Sequence, residues 1–173
     1  MFSLDYSQLS KLVQINIKVR YRDTWLGFFW VLLNPILLYA VQAFIFSNLF
    51  KNTSSEYLVY LLTGLFPWFF LTQTAEMSCT YLKQKSLFLR NLKFTPFFMI
   101  LSLVLENYIN FLFSSFLVFS FLLFFKITTF FVFFSFYLAS LFFFIVVLSV
   151  SYFLSYAHTL FKDVKYIIQF LFT

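Results

Sequence analysis

Side chains able to do covalent or acid–base chemistry are scarce in this chain of 173 residues, which holds one histidine, His158, one cysteine, Cys79, and six carboxylates. Hydrolytic or redox turnover needs a nucleophile with its base, paired acids, or a set of metal ligands. His158 and Cys79 stand far apart in the sequence, and neither is surrounded by a second candidate. An intramembrane enzyme would have little beyond Glu76 and Glu106 to work with. The two glycines, Gly27 and Gly64, cannot build a phosphate-cradling loop. No catalytic, cofactor or metal site is expected, and His158 reads as an interfacial or packing residue. A lone cysteine permits no intrachain disulfide and leaves the redox compartment open.

The elements that hold these residues are of a kind that needs no water. Hydrophobic residues make up 62% of the chain and charged ones only 10%, while aromatics reach 27%, mostly through thirty-two Phe. No soluble domain buries that much apolar surface. Charge-free intervals cover residues 24–50, 57–75, 107–125 and 127–161, each able to cross a hydrocarbon core that takes about 20 helical residues. A membrane barrel would alternate apolar and polar residues, whereas stretches such as 28–33 and 142–148 are apolar on every face. The expected fold is therefore all-α, a polytopic membrane protein with residues 1–173 as one transmembrane domain.

Charge orients it. Lys11, Lys18, Arg20 and Arg22 precede the first apolar run, Lys83, Lys85, Arg90 and Lys93 follow the second, and Lys162 and Lys165 follow the last, while Lys51 and Lys126 stand alone in the intervening loops. Short loops rich in Lys and Arg stay cytoplasmic, so the N-terminus is expected inside the cell membrane. The net charge of +6 sits in juxtamembrane loops and suits anionic lipid headgroups; nucleic acid is not an expected partner. The first apolar run is too long for a cleavable signal and reads as a retained span.

Residues 1–23 predict an interfacial amphipathic helix, with Leu9, Leu12, Val13 and Ile17 on one face and Lys11, Lys18 and Arg22 opposite. Spans are expected near 25–50, 57–76, 98–125 and 130–153. Pro35 predicts a kink in the first, and Trp25 and Trp30 suit its interface. Gly64 and Pro67-Trp68 in the second suggest either close helix packing or an irregular segment lining a cavity. Glu106 lies at the interface if the third span starts near Asn107, and near the midplane if the helix enters at Phe97; the interfacial placement is favoured. Residues 127–161 read as one long helix continuing past the membrane. Residues 166–173 begin a fifth apolar stretch too short to cross, expected to lie at the interface or fray.

Residues 20–35, RYRDTWLGFFWVLLNP, resemble the RYR-x3-LG-x2-W-x4-P signature opening the first span of the membrane subunits of polysaccharide-exporting ABC transporters, the permeases of O-antigen, capsule and teichoic-acid export. Residues 57–70, YLVYLLTGLFPWFF, are similar to their Y-x2-FLL-x-GL-x-PW segment. Residues 86–96 resemble their basic loop ahead of a proline, with Thr95 standing between Phe94 and Pro96 where the family has Phe-Pro directly. Phe161-Lys162-Asp163-Val164-Lys165 is similar to their Y/F-R-D-V element.

The resemblance implies a permease homodimer docked on separate ATPase subunits, moving a lipid-linked glycan between the protomers. It implies that the loop carrying Leu87, Phe88, Leu89 and Arg90 meets the ATPase. Trp30, Tyr60 and Trp68 become candidate channel aromatics able to stack on sugars, and Gly27, Pro35, Gly64 and Pro67 become helix-shaping residues. Family members carry six spans, so the chain is expected to be a truncated permease, with a non-transporting scaffold subunit as the alternative.

Overall fold

The computed structural model describes residues 6–21, 37, 40–42, 44, 45, 48, 55–86 and 95–172. Among these residues there is no strand, and five helices are defined: α1 (Tyr6–Tyr21), α2 (Ser55–Gln84), α3 (Pro96–Phe124), α4 (Phe130–Leu160) and α5 (Val164–Phe172). Leu37, residues 40–42, Phe44, Ile45 and Asn48 are also helical, and the Asn48 amide donates back to the Phe44 carbonyl at 2.9 Å. The rest of the expected first span lies outside the described residues.

Helix boundaries fall where side-chain chemistry puts them. Thr95 occupies the cap of α3, its carbonyl accepting from Phe98 N at 3.1 Å and Met99 N at 3.4 Å, and Pro96 fills the first helical position, where its missing N–H has no partner to lose. The other end of α3 closes in a Schellman motif. Lys126 N donates to Leu123 O at 3.0 Å and Ile127 N to Leu122 O at 2.9 Å, with Lys126 itself at φ 58°. This turn returns the chain into α4, whose start is marked by Phe133 N on Thr129 O at 3.2 Å. Asp163 caps α5, its carbonyl accepting from Tyr166 N and Ile167 N at 3.0 and 3.1 Å, and a carboxylate at that position suits the positive end of the helix dipole.

The chain divides into two compact units whose boundaries fall inside α2, α3 and α4. Residues 21–70 and 109–143 form one. Its centre is a set of phenylalanine rings from three helices: Phe66 lies 5.9 Å from Phe119 and 6.4 Å from Phe136, Phe119 lies 4.7 Å from Phe136, and Phe70 lies 5.2 Å from Phe111. Phe116 meets Phe133 at 6.0 Å, and Ser115 and Tyr137 share a 3.2 Å hydroxyl contact between α3 and α4. Edge-to-face and tilted ring pairs supply the dispersion contacts that hold helices together where lipid removes the hydrophobic drive.

The other unit holds residues 1–20, 71–108 and 144–173. Phe97 meets Tyr152 at 6.0 Å and Tyr108 meets Phe144 at 4.9 Å, so α3 and α4 run antiparallel here. Ile168 of α5 is buried with Ala75, Cys79 and Leu154, and Val150, Val164 and Phe172 pack against the group. Residues Val164–Phe172 therefore form a helix docked through Ile168 and not a frayed end, a contact that the sequence did not advertise; its place at a membrane interface is a separate expectation.

With so few glycines, close approach between helices is carried by serine. Ser78, Ser102, Ser114, Ser115 and Ser140 are buried, and each donates its hydroxyl to a carbonyl three or four residues earlier, at 2.8, 2.8, 2.8, 3.1 and 2.8 Å. The back-bond satisfies the hydroxyl within its own helix and leaves a small, nearly apolar contact surface.

Two of the described helices, α3 and α4, are long and apolar enough to cross a membrane, against four expected spans. α2 has the length, 30 residues, but Thr63, Gly64, Pro67, Thr72, Gln73 and Thr74 dilute it; the first span falls outside the described residues. Only 17% of the most apolar window of α4 is buried, leaving Phe131, Phe134, Leu138, Leu141, Phe142, Ile145 and Val146 uncovered. A core helix of a water-soluble domain would hide such residues; lipid accepts them.

Candidate functional site

Three of the sequence-predicted residues come together. Tyr60, Gly64 and Trp68 follow one another at intervals of four on α2, which places them within about 80° of arc. Tyr60 is 77% exposed and Trp68 47%, and a Cβ built on Gly64 would meet no atom within 4 Å. The two aromatic residues thus share one face of α2 with Gly64 between them. Among the described residues α2 is continuous through Pro67, in place of an irregular segment. Pro67 removes one backbone donor without ending the helix, and the hydroxyl of Thr63, four residues earlier, donates to the Tyr60 carbonyl at 2.7 Å.

Leu87, Phe88, Leu89 and Arg90 lie outside the described residues, as do Trp30, Gly27 and Pro35. The structure does describe what leads into that loop. α2 reaches Gln84, Lys85 N bonds Tyr81 O at 3.0 Å, and Lys83 is exposed near its end, where a cation is favoured by the helix dipole. At the same level α1 is fastened to α2: the Asn16 side-chain amide donates to the Tyr81 hydroxyl at 2.7 Å, in a buried setting. Leu12 and Val13 are buried beside Asn16, and Lys11 and Lys18 are exposed, as the amphipathic reading expects. Ile15 and Val19 are exposed on the remaining side. The role of Asn16 was not legible, because an amide on an apolar face carries no sequence signature of its partner.

Glu106 lies well inside α3. α3 starts at Pro96, so the carboxylate sits about ten residues, or about 15 Å, along the helix, and it is 2% exposed. It does not pair with the histidine. The contact of Tyr108 with Phe144 sets Glu106 near the level of residue 146 of α4, leaving His158 roughly 18 Å further along. An acid–base couple between them is excluded by that separation. Among the described residues no three His, Cys, Asp or Glu side chains converge to hold a metal ion.

Cys79 is buried and donates to the Ala75 carbonyl at 3.4 Å. Burial pushes its thiol up, with the Glu76 carboxylate adding to the rise, while the backbone hydrogen bond and Lys165 act the other way. Such a thiol is unreactive.

No protein-family model matches the chain. Curated relatives do: an O-antigen export system permease protein RfbA from Klebsiella pneumoniae is 38% identical over 63 residues, 36% of this chain and 24% of the relative. The protein of the same name from Myxococcus xanthus is 28% identical over 106 residues, 61% of this chain and 41% of the relative. A second Klebsiella pneumoniae permease of that name is 35% identical over 63 residues. The chain thus matches about a quarter to two fifths of the length of these relatives. These similarities support the resemblance read from its motifs, that of a polysaccharide-export ABC permease, and fit an all-helical membrane protein.

Proposed function

We propose that this chain belongs to the permease subunit of an ABC transporter that exports a lipid-linked polysaccharide, of the O-antigen or capsule kind, across the inner membrane. The observation that carries the reading is the sequence similarity to O-antigen export permeases, supported by four family landmarks in the same order along the chain. The chain itself hydrolyses nothing; a separate ATPase subunit supplies energy through the loop holding Leu87, Phe88, Leu89 and Arg90, and two permease copies form the glycan path. The exposed Tyr60 and half-exposed Trp68 suit that path, since sugar faces stack on aromatic surfaces.

A chimera tests this. Residues 1–173 replace the equivalent segment of an O-antigen export permease in a strain lacking its own, and surface glycan is measured. Restored export supports the reading, and export then lost with Leu87→Asp and Leu89→Asp, together with loss of ATPase co-purification, supports the coupling role. A correctly inserted chimera that binds no ATPase and exports nothing would favour the scaffold alternative.

A further inference from the structure

Five buried serines in these helices satisfy their own hydroxyls, and two on α4 do not. Ser151 and Ser155 are fully buried, with Oγ atoms that have no hydrogen-bond partner, and His158, 7% exposed, has an unpartnered, buried Nδ1. The back-bond to the preceding turn is available to any helical serine; Ser149, beside them on the same helix, donates to Ile145 O at 2.9 Å, and Thr159 to Tyr156 O at 2.6 Å. Ser151 and Ser155 forgo it. A buried polar atom left unsatisfied costs about 1–3 kcal/mol, and three of them side by side call for a partner.

Their spacing gives the shape of that partner. Residues 151, 155 and 158 stand at i, i+4 and i+7, within about 60° of arc and over about 10 Å of helix. Leu154, displaced to one side of this strip, is sealed against Ala75, Cys79 and Ile168, so the strip has an apolar wall along one edge. The strip is polar, narrow and elongated, and it runs toward the end of α4 that carries Lys162 and Lys165.

We propose that Ser151, Ser155 and His158 line a narrow hydrated crevice, a single file of water molecules entering from the Lys162 end of α4 and reaching at least as deep as Ser151. Two or three waters bridge the three polar atoms, each finding the two or more partners that a buried water needs. Within a membrane helix, polar side chains of this kind belong to water-lined interiors. The crevice does not depend on the export assignment.

The test uses thiol chemistry, because a thiol reacts with a charged methanethiosulfonate as its thiolate, which forms in water and not in a dry core. In the full chain carrying Cys79→Ala, single variants Ser151→Cys, Ser155→Cys and His158→Cys are compared with Val147→Cys and Leu154→Cys on the same helix. Labelling at 151, 155 and 158 at least about tenfold faster than at 147 and 154 is the expected result, the protected pair reporting that the fold is intact. Labelling confined to position 158, uniform labelling at all five, or none at any would each overturn the proposal. The conservative pair Ser151→Ala and Ser155→Ala gives an independent reading: in a dry core removal of an orphaned hydroxyl raises the midpoint of thermal unfolding, whereas loss of a bridged one leaves it unchanged or lowers it.

Discussion

The amide of Asn16 reaches the hydroxyl of Tyr81 at 2.7 Å, across sixty-five positions of sequence, and so fixes helix α1 to the stretch of α2 that leads toward residues 87–90. Replacing Tyr81 by Phe deletes the acceptor and keeps the ring, and is expected to destabilise the protein by about 1–3 kcal/mol. Asn16→Ala should do about the same, and the double variant should cost less than the two losses added, as coupled partners do. Unfolding of detergent-solubilised protein, read in all four forms, measures it; simple additivity would mean the bond contributes nothing.

The ring set around Phe66 and Phe119 predicts a sharp contrast on one helix. Phe119→Ala opens a cavity beside Phe66 and Phe136 and is expected to cost about 3–5 kcal/mol, while Phe124→Ala, on a residue 82% exposed, should stay near 0.5 kcal/mol. Denaturation in mixed micelles compares the two directly.

Gly64 predicts a split between folding and assembly. With nothing within 4 Å of an added Cβ, Gly64→Ala is expected to leave the folded chain unharmed or to gain about 1 kcal/mol from helix propensity. If a second copy or a glycan lies against the Tyr60 and Trp68 face, export by the chimera should fall while thermal stability does not, and Gly64→Leu should deepen the loss.

Native Cys79 should resist maleimide in the folded state and react once the protein is denatured. Because burial holds the thiol above its usual value, the thiolate fraction is depleted at neutral pH and grows as pH rises, so the folded-state labelling rate should increase toward alkaline pH and more steeply than that of a free thiol. Rapid labelling at pH 7 in the native protein would contradict the packing of Ala75, Leu154 and Ile168 around it.

Helix type, the long undivided α4 and the amphipathic face of α1 were legible in the residues, because apolar runs and helical periodicity are local properties. The start of α3 was less so; Thr95-Pro96, a cap followed by a first-position proline, is the signal that places it. Asp163 shows the converse: it was noticed as part of a family-like element, and the structure supplies the reason, a capped start for α5. Pro67 sits inside a continuous α2, so one missing backbone donor does not interrupt so long a helix. The docking of Ile168 and the Asn16 to Tyr81 bond are contacts between distant segments, and nothing in either segment names the other.

The serine back-bonds bear on how such a chain should be weighed for lipid. A hydroxyl already committed to its own backbone presents a methylene to its surroundings, so its effective polarity belongs to the folded helix and not to the residue type. Scales that assign each side chain a fixed transfer value then overstate the polarity of helices such as α2, where Thr63 and Ser78 are both satisfied internally. The partition of this protein between water and bilayer is set by which hydroxyls remain outward-looking after folding, and by that measure the chain is more lipophilic than its letters.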